Sequence, residues 1–170
     1  MPQALRSIRP DRATRAFLRL LNLVQSLVSA AWMSALAHGR MRSLVAFEGD
    51  ALVGCTAIVI DPLSWSAHVG ELRVLVDPSW RGRGLGRVLV QESFALALGL
   101  GLDKLVVRMT VDQHGAIALF EELGFRAEAV LRNQVKDREG RLRDLALLGH
   151  DIDAVNARMQ VMGLDRALNA

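Results

Sequence analysis

Residues 81–87, Arg81-Gly82-Arg83-Gly84-Leu85-Gly86-Arg87, interleave three glycines with three arginines. An apolar run stops at Pro78 just before them, and an amphipathic run follows at once. Glycine exposes backbone N–H groups and lets another molecule approach the chain closely. At a helix start those amides have no intrahelical acceptor, and the helix dipole adds positive potential. Strand, glycine loop and helix N-terminus together make an anion cradle suited to phosphate, with Arg81, Arg83 and Arg87 adding charge around it. A tight strand-to-helix turn is the plain alternative. One glycine usually suffices for such a turn, and three cost folding entropy.

Two phosphate-binding schemes fail on chemistry. A nucleotide-hydrolysing P-loop needs Gly-Lys-Ser/Thr to reach the terminal phosphates and magnesium, and Gly86-Arg87-Val88 supplies none of this. The dinucleotide fingerprint needs a third glycine where this chain has Arg87, and an acid after the following strand, whereas Asp103 precedes that strand.

These residues need elements to position them. Asp11 can cap, and Gly39 can end, a helical region over 11–38. "SLVAFEGDALVGCTAIVI" gives two apolar runs broken by Gly49-Asp50, a hairpin signal. "HVGELRVLVD" reads as a third strand, with Leu72, Val74 and Val76 on one face and Glu71, Arg73 and Leu75 on the other. A helix over 84–98 follows, then a strand over 104–111 with Leu105, Val107, Met109 and Val111 on one face. A short helix over 116–123 stops at Gly124. "FRAEAVLRNQV" and "LRDLALLGHDI", joined by "KDREG", form a closing hairpin. The order predicts one α/β (α+β) domain over 1–170, a central mixed but mostly antiparallel sheet with helices on both faces. The crossover makes the strands at 69–76 and 104–111 parallel neighbours.

The bulk properties narrow the class. With 51% hydrophobic and 23% charged residues, the chain has an ordinary globular composition. A net charge of +3 is too small and too scattered to argue for nucleic acid, despite a pI near 9.9. Residues 20–37 carry no charge and approach the length of a bilayer span. Asn22, Gln25 or Ser26, Ser29 and Ser34 nevertheless form a polar stripe, which reads as a soluble amphipathic helix or two joined end to end. No nucleic-acid or membrane partner is expected. The single cysteine, Cys55, excludes an internal disulfide and fits a reducing cytoplasm; its flanks "LVGCTAIV" read as buried strand, not as a nucleophile's setting. No metal ligands stand out.

The hexapeptide Arg81–Gly86 resembles the Q/R-x-x-G-x-G/A signature of the GNAT superfamily of N-acetyltransferases. "VLVDP" precedes it in the family's manner, and "QHGAIALFEELGF", residues 113–125, is similar to the family's N-x-x-A-x-x-L-Y-x-x-x-G-F segment. The resemblance covers about residues 43–149. It implies acetyl-CoA as co-substrate, with the amides of Gly82, Arg83, Gly84, Leu85 and Gly86 on its pyrophosphate and Arg81 and Arg87 nearby. It further implies that main-chain groups of Val74 and Val76 flank the pantetheine where the two central strands splay. The Val76 N–H would polarise the thioester carbonyl, and Gln113, Ala116 and Phe120 would complete the cofactor side.

The acceptor would be an amine, which must lose a proton before it attacks. Glu71 stands close to where family members place a catalytic carboxylate. An ion pair with Arg73 or Arg108 is the alternative use of the same side chain, and the two uses can coexist. The family's tyrosine, which protonates the departing thiolate, falls at Phe120, and the chain has no tyrosine. Its asparagine falls at Gln113. A thiolate leaves fairly well without an acid, and His114 is a substitute to weigh; Ser93 and His150 have no better case. The function implied is transfer of acetyl to an amine of a small molecule or protein by direct attack; the alternative is a non-catalytic acyl-CoA binding or sensing module. Trp32, Trp65 and Trp80 are open as stacking or packing residues, with Trp65, ahead of the Glu71 strand, the most suggestive. The tail over 151–170 is helix-compatible and offers a surface for a second subunit, so a homodimer is one option.

Overall fold

Gly49 takes φ +56° and closes a two-residue hairpin turn between β2 (Met41–Glu48) and β3 (Ala51–Val59). The structure is a computed structural model that describes residues 6–7 and 27–152 of the 170-residue chain. Asp11, Asn22, Gln25, Ser26, residues 20–26 and the tail from 153 lie outside the described residues, as does the side chain of Ser29.

Among the described residues the remaining elements are β1 (Arg6–Ser7), α1 (Leu27–Ala37), β4 (Val69–Val76), α2 (Leu85–Gly99), β5 (Lys104–Thr110), α3 (His114–Glu122), β6 (Arg126–Lys136) and β7 (Leu142–Asp151). They build one sheet in the order β1-β2-β3-β4-β5-β7-β6. Every pairing is antiparallel except β4 with β5. The mixed, mostly antiparallel sheet expected from the sequence is therefore present, with its parallel pair at the expected crossover.

Helices cover both faces. Register places Ile58 opposite Leu72 and Thr56 opposite Val74. That face meets α2, whose Leu89, Val90, Ser93 and Ala97 are all fully buried at helical spacing. On the other face Val45 and Cys55 pack with Trp32 of α1, so Trp32 is core packing. The Ser93 hydroxyl bonds Leu89 O at 2.8 Å and lies 3.0 Å from Thr56 Oγ1, a buried polar link between α2 and β3.

Three of the differences from expectation bear on the site. α3 starts at His114, two residues early, because the Gln113 carbonyl accepts from both the Ala116 and Ile117 amides. β5 ends at Thr110, and Val111 is exposed beyond it rather than aligned with Met109. A 3₁₀ turn over Pro78–Trp80, capped by the Asp77 carboxylate on the Ser79 amide at 2.8 Å, separates β4 from the glycine loop. Hydrogen bonds from the Ser79 hydroxyl and amide hold the Asp77 carboxyl below the usual carboxylate range.

Gly70 shows how tightly the parallel pair is seated. A Cβ there would lie 2.7 Å from both Ile58 Cγ2 and Leu102 Cδ1, and 3.2 Å from Leu105 Cδ2. All three neighbours are buried, so none can retreat freely. Gly70→Ala is expected to lower stability by about 1–3 kcal/mol, the range for overpacked cores. The urea midpoint should fall at constant m-value; an unchanged midpoint would show that this junction is loose.

Candidate functional site

The two central strands part company. β4 and β5 pair only over Val69–Glu71 with Lys104–Val106. Beyond that, β4 continues beside β3 and β5 beside β7 without pairing to each other. The result is a fork with Glu71 and Val106 at its base.

One arm of the fork turns usable backbone inward. The Asp77 amide donates to Val53 O at 2.9 Å, toward β3. Backbone direction alternates along a strand, so Val76 and Val74 present their N–H and C=O groups to the open side. Arg81 Nε reaches the Val76 carbonyl at 3.4 Å from that side. Both residues expected to flank a pantetheine thus offer main-chain polar groups along the fork, the Val76 carbonyl already accepting from Arg81.

At the end of this arm lies the glycine loop. Gly82 and Gly84 have φ of +70° and +81°, and Gly84 is the N-cap of α2. The first amide of α2 with a backbone acceptor is that of Val88, on Gly84 O at 3.2 Å. Among the described residues, the amides of Gly82, Arg83, Gly84, Leu85, Gly86 and Arg87 donate to no protein group. Six free donors at a helix start form a donor set that fits a pyrophosphate. The αL geometry accounts for two of the three glycines, Gly82 and Gly84, while Gly86 is already helical.

The arginines divide their work. Arg83 lies over the Trp80 ring at 5.1 Å, which assigns Trp80 to the loop. Arg87 pairs with Glu122 of α3, so its charge around the cradle is partly neutralised. That pair, 35 residues apart in sequence, ties α3 to the start of α2. A Cβ on Gly86 would stand 3.5 Å from Leu119 Cδ2 and 3.8 Å from Val76 Cγ2, so cradle, fork and α3 converge there. Sequence reasoning missed both Leu119 and Glu122. Gln113 caps α3 by position and bonds Thr110 through its side chain at 3.0 Å. Ala116 and Phe120 pack into the main core; Phe120 is 6% exposed, with its ring edge-on to Phe125.

Glu71 sits at the base of the fork on the face that carries α1. Both ion pairs weighed from the sequence form: Oε1 accepts from Arg73 Nε at 2.9 Å, and Oε2 lies 3.7 Å from Arg108 Nε. Among the described residues, Cys55, His150, His114 and Trp65 make no hydrogen bond or ion pair with Glu71. Cys55 is buried, and burial pushes its thiol up to about 12, which keeps it neutral and poorly nucleophilic. His150 packs between Phe94 and Phe125, and burial lowers its pKa, favouring the neutral ring. His114 opens α3 on the surface. Trp65 is fully exposed in the loop before β4.

A forked parallel pair that ends in a glycine-built amide cradle is the arrangement that the resemblance to N-acetyltransferases implies. Residues 7–125 match the acetyltransferase (GNAT) family, and the chain belongs to it. It is 36% identical over 94 residues to an IAA acetyltransferase of Azospirillum brasilense, covering 55% of this chain and 60% of that protein. It is 27% identical over 100 residues to the L-amino acid N-acetyltransferase AaaT of Escherichia coli, covering 57% and 61%. Each alignment spans less than two thirds of the relative's own length. Salmonella typhimurium YncA, solved with acetyl-CoA, shares the fold at a TM-score of 0.73 and 21% identity, over 88% of this chain and 93% of that one. Among the described residues no helix is long and apolar enough to cross a membrane.

Proposed function

We propose that the protein transfers an acetyl group from acetyl-CoA to a primary amine by direct attack in a ternary complex. The observation that carries this is the continuity of fork and cradle: Val74 and Val76 main chain facing the open side leads straight to six amides with no protein acceptor among the described residues. Gly82 through Gly86 would hold the pyrophosphate, with Arg81, Arg83 and Arg87 supplying charge. Val76 N–H would stabilise negative charge developing on the thioester oxygen. Glu71 would take the proton from the acceptor ammonium, directly or through water. Phe120 offers no proton, so the thiolate leaves unassisted or is protonated by solvent. A covalent relay is disfavoured because Cys55, the sole thiol, is buried and neutral. The lone, unpaired thiol suits a cytoplasmic setting.

Phe120 favours one second reading, a binding or sensing module that holds acyl-CoA without turnover. Melting of the purified protein separates both readings from a misassigned loop. CoA or acetyl-CoA near a hundredfold above Kd should raise the midpoint by about 5–10 °C, while ATP and NAD do not. Amine-dependent release of free thiol then distinguishes the enzyme from the binding module. No CoA-specific shift would sink both.

A further inference from the structure

The fork carries an uneven charge count. Glu71 stands at its base, Arg73 lies two residues along one arm, and Arg108 lies two residues beyond Val106 on the other. All three side chains share the face that carries α1. Among the described residues, Glu71 is the one carboxylate within ion-pair range of either guanidinium. Arg73 takes the hydrogen bond at 2.9 Å, and Arg108 stands off at 3.7 Å. Among the described residues Arg108 donates no hydrogen bond to a protein acceptor, and its side chain is 54% exposed. One carboxylate thus faces two guanidiniums at the base of the fork.

A cationic amine with no other charge would meet a site of net positive potential there. An amine that brings its own anion would not. A guanidinium presents paired N–H donors that match a carboxylate fork to fork. Because Arg108 and Glu71 lie so close together, the anion and amine of such a ligand must be separated by only a few bonds. Leu147, the cross-strand partner of Arg108, and Leu145 lie half-buried on the same face and offer apolar contact to the rest of the molecule. We propose that the acceptor is a free amino acid, its carboxylate on Arg108 with help from Arg73, and its amine directed at Glu71. This rests on the acetyltransferase reading above and names the substrate class for it.

The test measures thiol release from acetyl-CoA over a panel of amino acids, each beside its own carboxamide, with simple amines and a polyamine included. The carboxamide's amine is less basic and more often free at neutral pH, so intrinsic reactivity favours it. The expected result is the reverse: kcat/KM at least about tenfold higher for the acid of the best pair, the scale of one charged hydrogen bond. In Arg108→Gln the acid-to-amide ratio should collapse toward unity, with partial recovery in Arg108→Lys. An unchanged CoA-induced melting shift would show that each variant is folded. Turnover that favours amides or simple amines, or a ratio untouched by Arg108→Gln, overturns the proposal while leaving the enzyme reading intact. Binding of CoA with no turnover of any amine overturns both.

Discussion

Gly84→Val is expected to weaken CoA binding by about a hundredfold in a protein that still folds. Gly84 holds φ +81° and ψ −6° as the N-cap of α2. A β-branched residue in that region costs roughly 1–3 kcal/mol of backbone strain. A Cβ there meets nothing within 4 Å, so no core contact is broken and the sheet is untouched. The loop can escape the strain only by rotating the peptides on either side, which reorients the flanking amides. Losing two charge-assisted hydrogen bonds to a phosphate costs on the order of 3 kcal/mol, or about a hundredfold in Kd. In practice the CoA-induced melting shift should shrink to about 1–2 °C, while the strain lowers the apo midpoint by about 2–12 °C. Gly86→Ala is the matched control. That residue is helical, its added methyl would rest in ordinary contact 3.5 Å from Leu119, and alanine is the better helix former. It should keep the shift. A folded Gly84→Val protein with undiminished CoA affinity would refute the cradle.

The contrast between these glycines shows how far the sequence carried. Local geometry was legible: positive φ at Gly49, Gly82, Gly84 and Gly124 falls where hairpin, loop and helix end were placed. So was alternation along β4, which put Glu71 and Arg73 on one face and Val74 and Val76 on the other. Contacts between distant segments were not legible. Nothing in periodicity marks Glu122 as the partner of Arg87, or tells which of Arg73 and Arg108 Glu71 would choose; it takes both. The extent of β4–β5 pairing is likewise tertiary, because the helices and flanking strands decide where the two strands separate. The splay entered the sequence reading only through family resemblance. The 3₁₀ turn at Pro78–Trp80 was hidden because its cap, Asp77, sits inside a segment that reads equally well as the tail of a strand.

Glu71→Gln should separate the two uses of that carboxylate. If Glu71 is only an ion-pair partner, its loss is a surface event: Arg73 and Arg108 are 55% and 54% exposed, and such pairs contribute about 0–1 kcal/mol. Stability and the CoA-induced shift should therefore change little under either role. If Glu71 is the general base, kcat falls by about 10²–10⁴, the usual contribution of a positioned base. A pH profile distinguishes this from simple mispositioning. Without a base, turnover must draw on the small fraction of acceptor already deprotonated in solution, which grows tenfold per pH unit below the amine's own pKa. The variant's rate should climb steeply and approach that of the parent as pH rises. A variant slowed by a constant factor at every pH would mean that Glu71 positions its two arginines and does not take the proton. An unchanged kcat at neutral pH would remove it from the chemistry altogether, leaving water ordered in the fork to carry the proton away.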